Sequence, residues 1–167
     1  WNRKFINYPS QKTKEEVVDF NAKLENGRVV SGTIFQSWMN GTRPFEISYN
    51  TDGTLKQTRY NDISEADGSD DWDNHTFVWE NGYLTKVKCE SMDAVSTFAY
   101  DKTTAIPAPF DKVLDLNMLL LLEEAEFFDG TNGEILNVLA IGGKLGTRSK
   151  GLIKEYHCDW TEDAPFT

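Results

Sequence analysis

Between residues 65 and 74 the chain reads Glu-Ala-Asp-Gly-Ser-Asp-Asp-Trp-Asp-Asn. Glu65, Asp67, Asp70, Asp71 and Asp73 supply the hard oxygen donors that calcium gathers in a flexible shell. The run lacks the spacing of an EF-hand loop and its closing Glu, so it reads as an exposed acidic loop, with a weak calcium site as the alternative. Trp72 stands apart within it. No core periodicity asks for an indole there, and both sugars and protein partners use aromatic faces. Trp72 with Asp70, Asp71 and Asp73 is therefore the candidate ligand-binding group.

Other chemistry is thinner. The soft metal donors are His75, His157, Cys89 and Cys158. Zinc sites draw on short paired spacings, and the adjacent His157 and Cys158 point to opposite faces of a strand, so no metal is expected. Cys89 and Cys158 read as free thiols, a disulfide being the alternative. Nucleophilic catalysis needs a nucleophile, a base and an orienting group. No Gly-x-Ser-x-Gly occurs, and nothing sets either His beside a Ser or Cys. A glycosidase carboxylate pair carries no information among 27 acidic residues, because some pair always lies close. The run GGKLGTRSKG, residues 142 to 151, places Lys144, Arg148 and Lys150 among glycines without Walker spacing. It reads as a tight connection with solvated charges that could form a local anion or partner patch. These readings predict neither catalysis nor a cofactor.

Charge and hydropathy narrow the partners. Seventeen basic against 27 acidic residues give a net charge of −10. Nucleic acid needs a basic footprint, so none is expected as a partner, and anionic lipid surfaces are disfavoured. A membrane helix needs about 20 apolar residues. The longest apolar stretch is Met118 to Leu122, so no transmembrane segment is expected. The chain opens at Trp1 without Met, as either processing or trimming would leave it, so the missing signal peptide says nothing about compartment.

The elements that must position these residues read mainly as strands. A length of 167 residues fits a single domain, 1–167, and aromatics at 13% favour pleated, half-buried surfaces. From Val18 to Glu25 apolar and polar residues alternate, and Asn26-Gly27 suits a type I′ turn. A regular ladder then sets Glu25 opposite Arg28, Leu24 opposite Val29, Phe20 opposite Thr33 and Val18 opposite Phe35. A capping box at Thr13–Glu16 offers a competing helical turn near 13–17. The second hairpin, about 45–60, turns at Thr51-Asp52-Gly53, with Gly53 left-handed, Tyr49 opposite Leu55 and Asn50 opposite Thr54. The third begins near 77 and turns at Asn81-Gly82, setting Glu80 opposite Tyr83 and Trp79 opposite Leu84. It continues into a strand at 96–101, completing the segment 77–101. The Leu-rich element 113–122 reads as a short helix near 115–122. C-terminal strands are expected over 127–160, with a turn near Asn132-Gly133 and a final strand at 152–160.

Tyr49-Asn50-Thr51-Asp52-Gly53-Thr54-Leu55 resembles the Y-(N/D)-x-x-G-x-(L/I) hairpin unit of YD-type repeats in large bacterial surface proteins. FVWENGYLTKV, residues 77 to 87, is a close variant with a shorter turn. FAYDKTTAIPAPFDKVLDLNMLL, residues 98 to 120, is followed by GKLGTRSKGL, residues 143 to 152. That order is similar to a family of uncharacterised envelope lipoproteins of Gram-negative gut anaerobes, described as a domain of unknown function with a porin-like fold. The likeness covers residues 45 to 156. It implies a curved antiparallel meander, a periplasmic or outer-membrane-tethered address and a lipid anchor on a removed N-terminal segment. It implies no reaction.

The expected fold is thus mainly β, an antiparallel meander of consecutive hairpins forming a curved sheet or a partly open small barrel, with one short helix. The expected function is a non-enzymatic cell-envelope binding or scaffold module acting on an unknown protein or glycan at the cell surface. The alternative is a glycan-binding module contributing to polysaccharide capture.

Overall fold

The computed structural model describes residues 2–4, 15–36, 41–61, 68–91, 93–103, 135–136, 138–140 and 142–160. Its strands are β1 (Asn2–Lys4), β2 (Glu15–Glu25), β3 (Arg28–Gln36), β4 (Arg43–Tyr49), β5 (Leu55–Asn61), β6 (Trp72–Glu80), β7 (Tyr83–Cys89), β8 (Ala94–Asp101) and β9 (Leu152–Trp160). Among the described residues every pairing of these strands is antiparallel and spatial order follows chain order from β1 to β9; the sheet stays open and does not close into a barrel. Strands β2 to β9 form the meander. The three-residue β1 pairs with the start of β2.

Turn chemistry sets the hairpins. Asn26 and Gly27, then Asn81 and Gly82, all take positive φ, the type I′ conformation that follows the strands' own twist. Gly53 (φ 86°) closes the middle turn, where Gly53 N–H donates to Asn50 O at 2.9 Å and Asn50 N–H to Thr54 O at 2.9 Å. Glu25↔Arg28, Leu24↔Val29, Tyr49↔Leu55, Glu80↔Tyr83 and Trp79↔Leu84 pair as the turns dictate.

One step further the regular ladder fails between β2 and β3, β4 and β5, β6 and β7, and β8 and β9, because the second strand of each pair carries one extra residue. Val30 is extra in β3, Lys56 in β5, Thr85 in β7 and Lys154 in β9. Phe20 consequently faces Ile34 rather than Thr33, and Val18 faces Gln36 rather than Phe35. Such bulges re-aim side chains and raise local twist. Here they all lie at the same end of the sheet, because alternate connections of a meander return to one end.

The buried face carries Val29, Ile34, Phe45, Ile47, Leu55 and Tyr60 from the first strands, then Phe77, Leu84, Val87 and Phe98. Phe20 stacks on Phe45 at 5.0 Å between ring centroids, over Gly32. Ile135, Leu136, Leu139 and Ala140 join this core from helical residues 135–136 and 138–140. Burying each large aliphatic side chain contributes about 1.5–3 kcal/mol. Of the strands expected over 127–160, residues 135–136 and 138–140 are helical instead and the final strand stands as β9, while residues 127–134, with the turn expected near Asn132-Gly133, lie outside the described residues. A spacing of apolar residues at 135, 136, 139 and 140 suits one helical face better than alternation. The helix expected near 115–122 lies outside the described residues.

Residues 144–151 cross the bulged end as a strap. Thr147 N–H donates to Gly53 O (2.8 Å), Lys150 N–H to Gly82 O (3.0 Å), and Leu84 N–H to Ser149 Oγ (3.3 Å). Lys150 Nζ caps the third turn at Asn81 O (3.0 Å). The run expected as a tight connection with solvated charges is thus pinned to two hairpin turns, with Lys144 and Lys150 exposed.

Candidate functional site

Strand β6 begins inside the expected acidic loop, since Trp72 pairs with Asn61 and Asp73 with Tyr60. Successive side chains of a strand take opposite faces, and this separates the four candidate residues. Trp72 and Asn74 lie on the polar outer face, whereas Asp73, His75 and Phe77 follow the buried one. Ahead of the strand, Asp70 and Asp71 are exposed and latched to buried Asn61. Asn61 Nδ2 donates to Asp70 Oδ1 (2.6 Å), and Asp71 N–H donates to Asn61 Oδ1 (3.2 Å). Glu65 and Asp67 lie outside the described residues.

The half-buried Trp72 carries the Arg59 guanidinium 4.4 Å above its ring. Arg59 also donates to Asn74 Oδ1 (3.0 Å) and Glu46 Oε2 (3.1 Å). One indole face is thus occupied by a planar cation, an arrangement that stabilises by about 0.5–1 kcal/mol at exposed sites. A shallow hollow of about 250 Å³ continues from Glu46 and Arg59 along Val30, Ser31, Ser48 and Gln57. A second cleft, of about 310 Å³, lies beside the third turn and is lined by Tyr83, Tyr100 and Phe98 together with Glu80, Asn81 and Lys102. Tyr83 and Tyr100 meet there at 5.1 Å, and Lys102 Nζ sits 5.3 Å from the Tyr83 ring centroid.

On the buried face, pairing of β6 with β7 sets His75 opposite Cys89, with Asp73 two residues along. One donor atom from each lies within 4.8 Å of the other two. His75 Nδ1 is 3.9 Å from Asp73 Oδ2, and Cys89 Sγ is 3.8 Å from Asp73 Oδ1. Ser91 Oγ donates to Asp73 Oδ1 at 2.5 Å and lies 3.3 Å from Cys89 Sγ. His75 and Cys89 are wholly buried, while the Asp73 side chain keeps 26% of its surface. A thiol, an imidazole and a carboxylate in this order could ligate a metal or activate sulfur, but a sulfur without exposed surface offers no approach to a bulky substrate.

Sequence spacing missed this group for a definable reason. A regular ladder from Trp79↔Leu84 would set His75 opposite Lys88, and the extra Thr85 moves Cys89 into that place. Cys158 pairs with Ser96, two strands away from Cys89. Two strand spacings span roughly 10 Å, beyond the ~7 Å limit of a disulfide, and both thiols are free.

Two side chains tune the second hairpin. Burial pushes the Tyr49 phenol up to about 12, and its Oη lies 3.0 Å from Val29 O and 3.2 Å from Lys144 O. The Asp52 carboxyl is held below its usual range by hydrogen bonds from Thr54 Oγ1 (2.7 Å) and Thr54 N (3.0 Å). Compared with known proteins, the chain matches no family model, no curated protein and no solved structure.

Proposed function

We propose that the chain is a non-enzymatic binding or scaffold module of the cell envelope, presenting the outer face of its sheet around Arg59 and Trp72 to a protein partner. The observation that carries this reading is the Arg59–Trp72 stack, bordered by Glu46 and Asn74 and continued by a shallow hollow. Trp and Arg dominate the energetics of many interfaces, and a flat polar face with one aromatic anchor suits a partner surface better than a small substrate. The envelope address rests on the likeness of residues 45–156 to envelope lipoproteins.

The experiment is capture from an envelope extract by the immobilised chain, compared with Trp72→Ala and Arg59→Glu. A partner kept by the wild type and lost by both variants, at unchanged melting temperature, supports the reading. Identical capture by all three chains refutes this surface.

The second reading, glycan binding, is favoured by the cleft at the third turn. Two tyrosine rings with Glu80, Asn81 and Lys102 offer the stacking and hydrogen bonding that sugars use. A thermal-shift screen against soluble polysaccharide fragments tests it. A dose-dependent rise that Lys102→Ala and Glu80→Gln abolish, but Trp72→Ala does not, moves the function to this cleft.

A further inference from the structure

We infer that Asp73, His75 and Cys89 form a binding site for a borderline divalent metal ion of the zinc class. The inference is independent of the partner surface, because these side chains lie on the opposite face of the sheet from Trp72 and Arg59.

The donor set comes first. A thiolate, an imidazole and a carboxylate are the three side-chain types that zinc accepts. A sulfur donor argues against calcium or magnesium, which take oxygen. Geometry follows. Metal–ligand bonds of about 2.0–2.3 Å at tetrahedral angles separate the donors by roughly 3.3–3.5 Å. One donor atom from each residue lies within 4.8 Å of the other two, with Asp73 Oδ1 at 3.8 Å from the sulfur and Asp73 Oδ2 at 3.9 Å from the imidazole. Small side-chain rotations therefore close the shell without moving the backbone.

His75 and Cys89 are paired on adjacent strands and fully buried, so their spacing is fixed by the ladder. Asp73 and Ser91 lie on the accessible side and leave a route for the ion. Three protein ligands leave a fourth position for water. Ser91 already bonds Asp73 and approaches Cys89, so its hydroxyl can orient the carboxylate beside a bound ion.

The test is titration of the reduced 167-residue chain with cobalt(II), followed by displacement with zinc(II). A one-to-one complex with a thiolate charge-transfer band and intense tetrahedral visible bands is expected. Zinc should displace the cobalt. Cys89→Ser should abolish the charge-transfer band and Cys158→Ser should keep it. Should Cys89→Ser lose its fold by circular dichroism, Asp73→Asn decides, because Asp73 is only partly buried. It should weaken cobalt binding by roughly tenfold or more. Absence of binding overturns the inference, as does binding without a thiolate band, a band lost only in Cys158→Ser, or affinity unchanged in Asp73→Asn.

Discussion

Gly32 shows how one missing side chain organises its neighbours. A Cβ there would run into Asn21 O and come within 2.5 Å of the Phe45 ring, which stacks on Phe20. The backbone oxygen cannot swing aside, so Gly32→Val should lower unfolding stability by about 1–3 kcal/mol, read from urea midpoints. Tyr49 and Trp79 occupy equivalent places before their turns and reach back alike. Tyr49 Oη meets Val29 O, and Trp79 Nε1 donates to Leu55 O at 2.7 Å. Tyr49 also gives the molecule an alkaline limb. Its folded pKa is raised from 10.0 to about 12, so the folded state keeps a proton that the unfolded chain sheds. The stabilisation is complete below pH about 10 and is lost as pH rises through about 12. Tyr49→Phe should flatten that limb in melting curves taken from pH 9 to 12. Asp52 acts at the other extreme, since its lowered pKa gives stability that is present above the ordinary carboxylate range and lost on acidification. The aromatic and turn residues behind these effects were legible in the sequence. The Asp73–His75–Cys89 group was not, because one extra residue in β7 decides which side chain faces His75.

At the scale of elements, the turns were legible because Asn-Gly and Asp-Gly have few alternatives in backbone space, and the pairs flanking them follow directly. The bulges were not, since no residue type marks Val30, Lys56, Thr85 and Lys154 in common. Nor was the strap. Its bonds to turns up to 95 positions away leave no periodic trace in a Gly-rich run. Ser149 is the most informative position in it, being buried and accepting from Leu84 N–H. Ser149→Ala should cost about 1–3 kcal/mol and speed amide exchange at Leu84, measured by NMR.

For the whole molecule, a mainly β meander followed from alternation and turn spacing, while the helical residues 135–136 and 138–140 had been read as strand because an apolar run beside an Asn-Gly suits either form. An open sheet has an edge to protect, and β9 carries exposed charge there. Lys154 pairs with Glu155 at 3.3 Å and His157 with Asp159 at 2.8 Å, all largely exposed. Charged side chains discourage strand addition. Glu155→Val with His157→Val and Asp159→Val should raise the oligomeric mass above that of the wild type in light scattering; an unchanged mass would mean the edge is guarded otherwise. The strap adds a consequence in time. The hairpins need only local contacts and can form in the order in which the chain is made. Their bulged end, however, waits for residues 144–151, so the chain spends the interval between making β8 and making the strap with a paired sheet whose turns are still bare. In pulse-labelled refolding, Leu84 N–H should therefore gain protection after the ladder amides of β4 and β5.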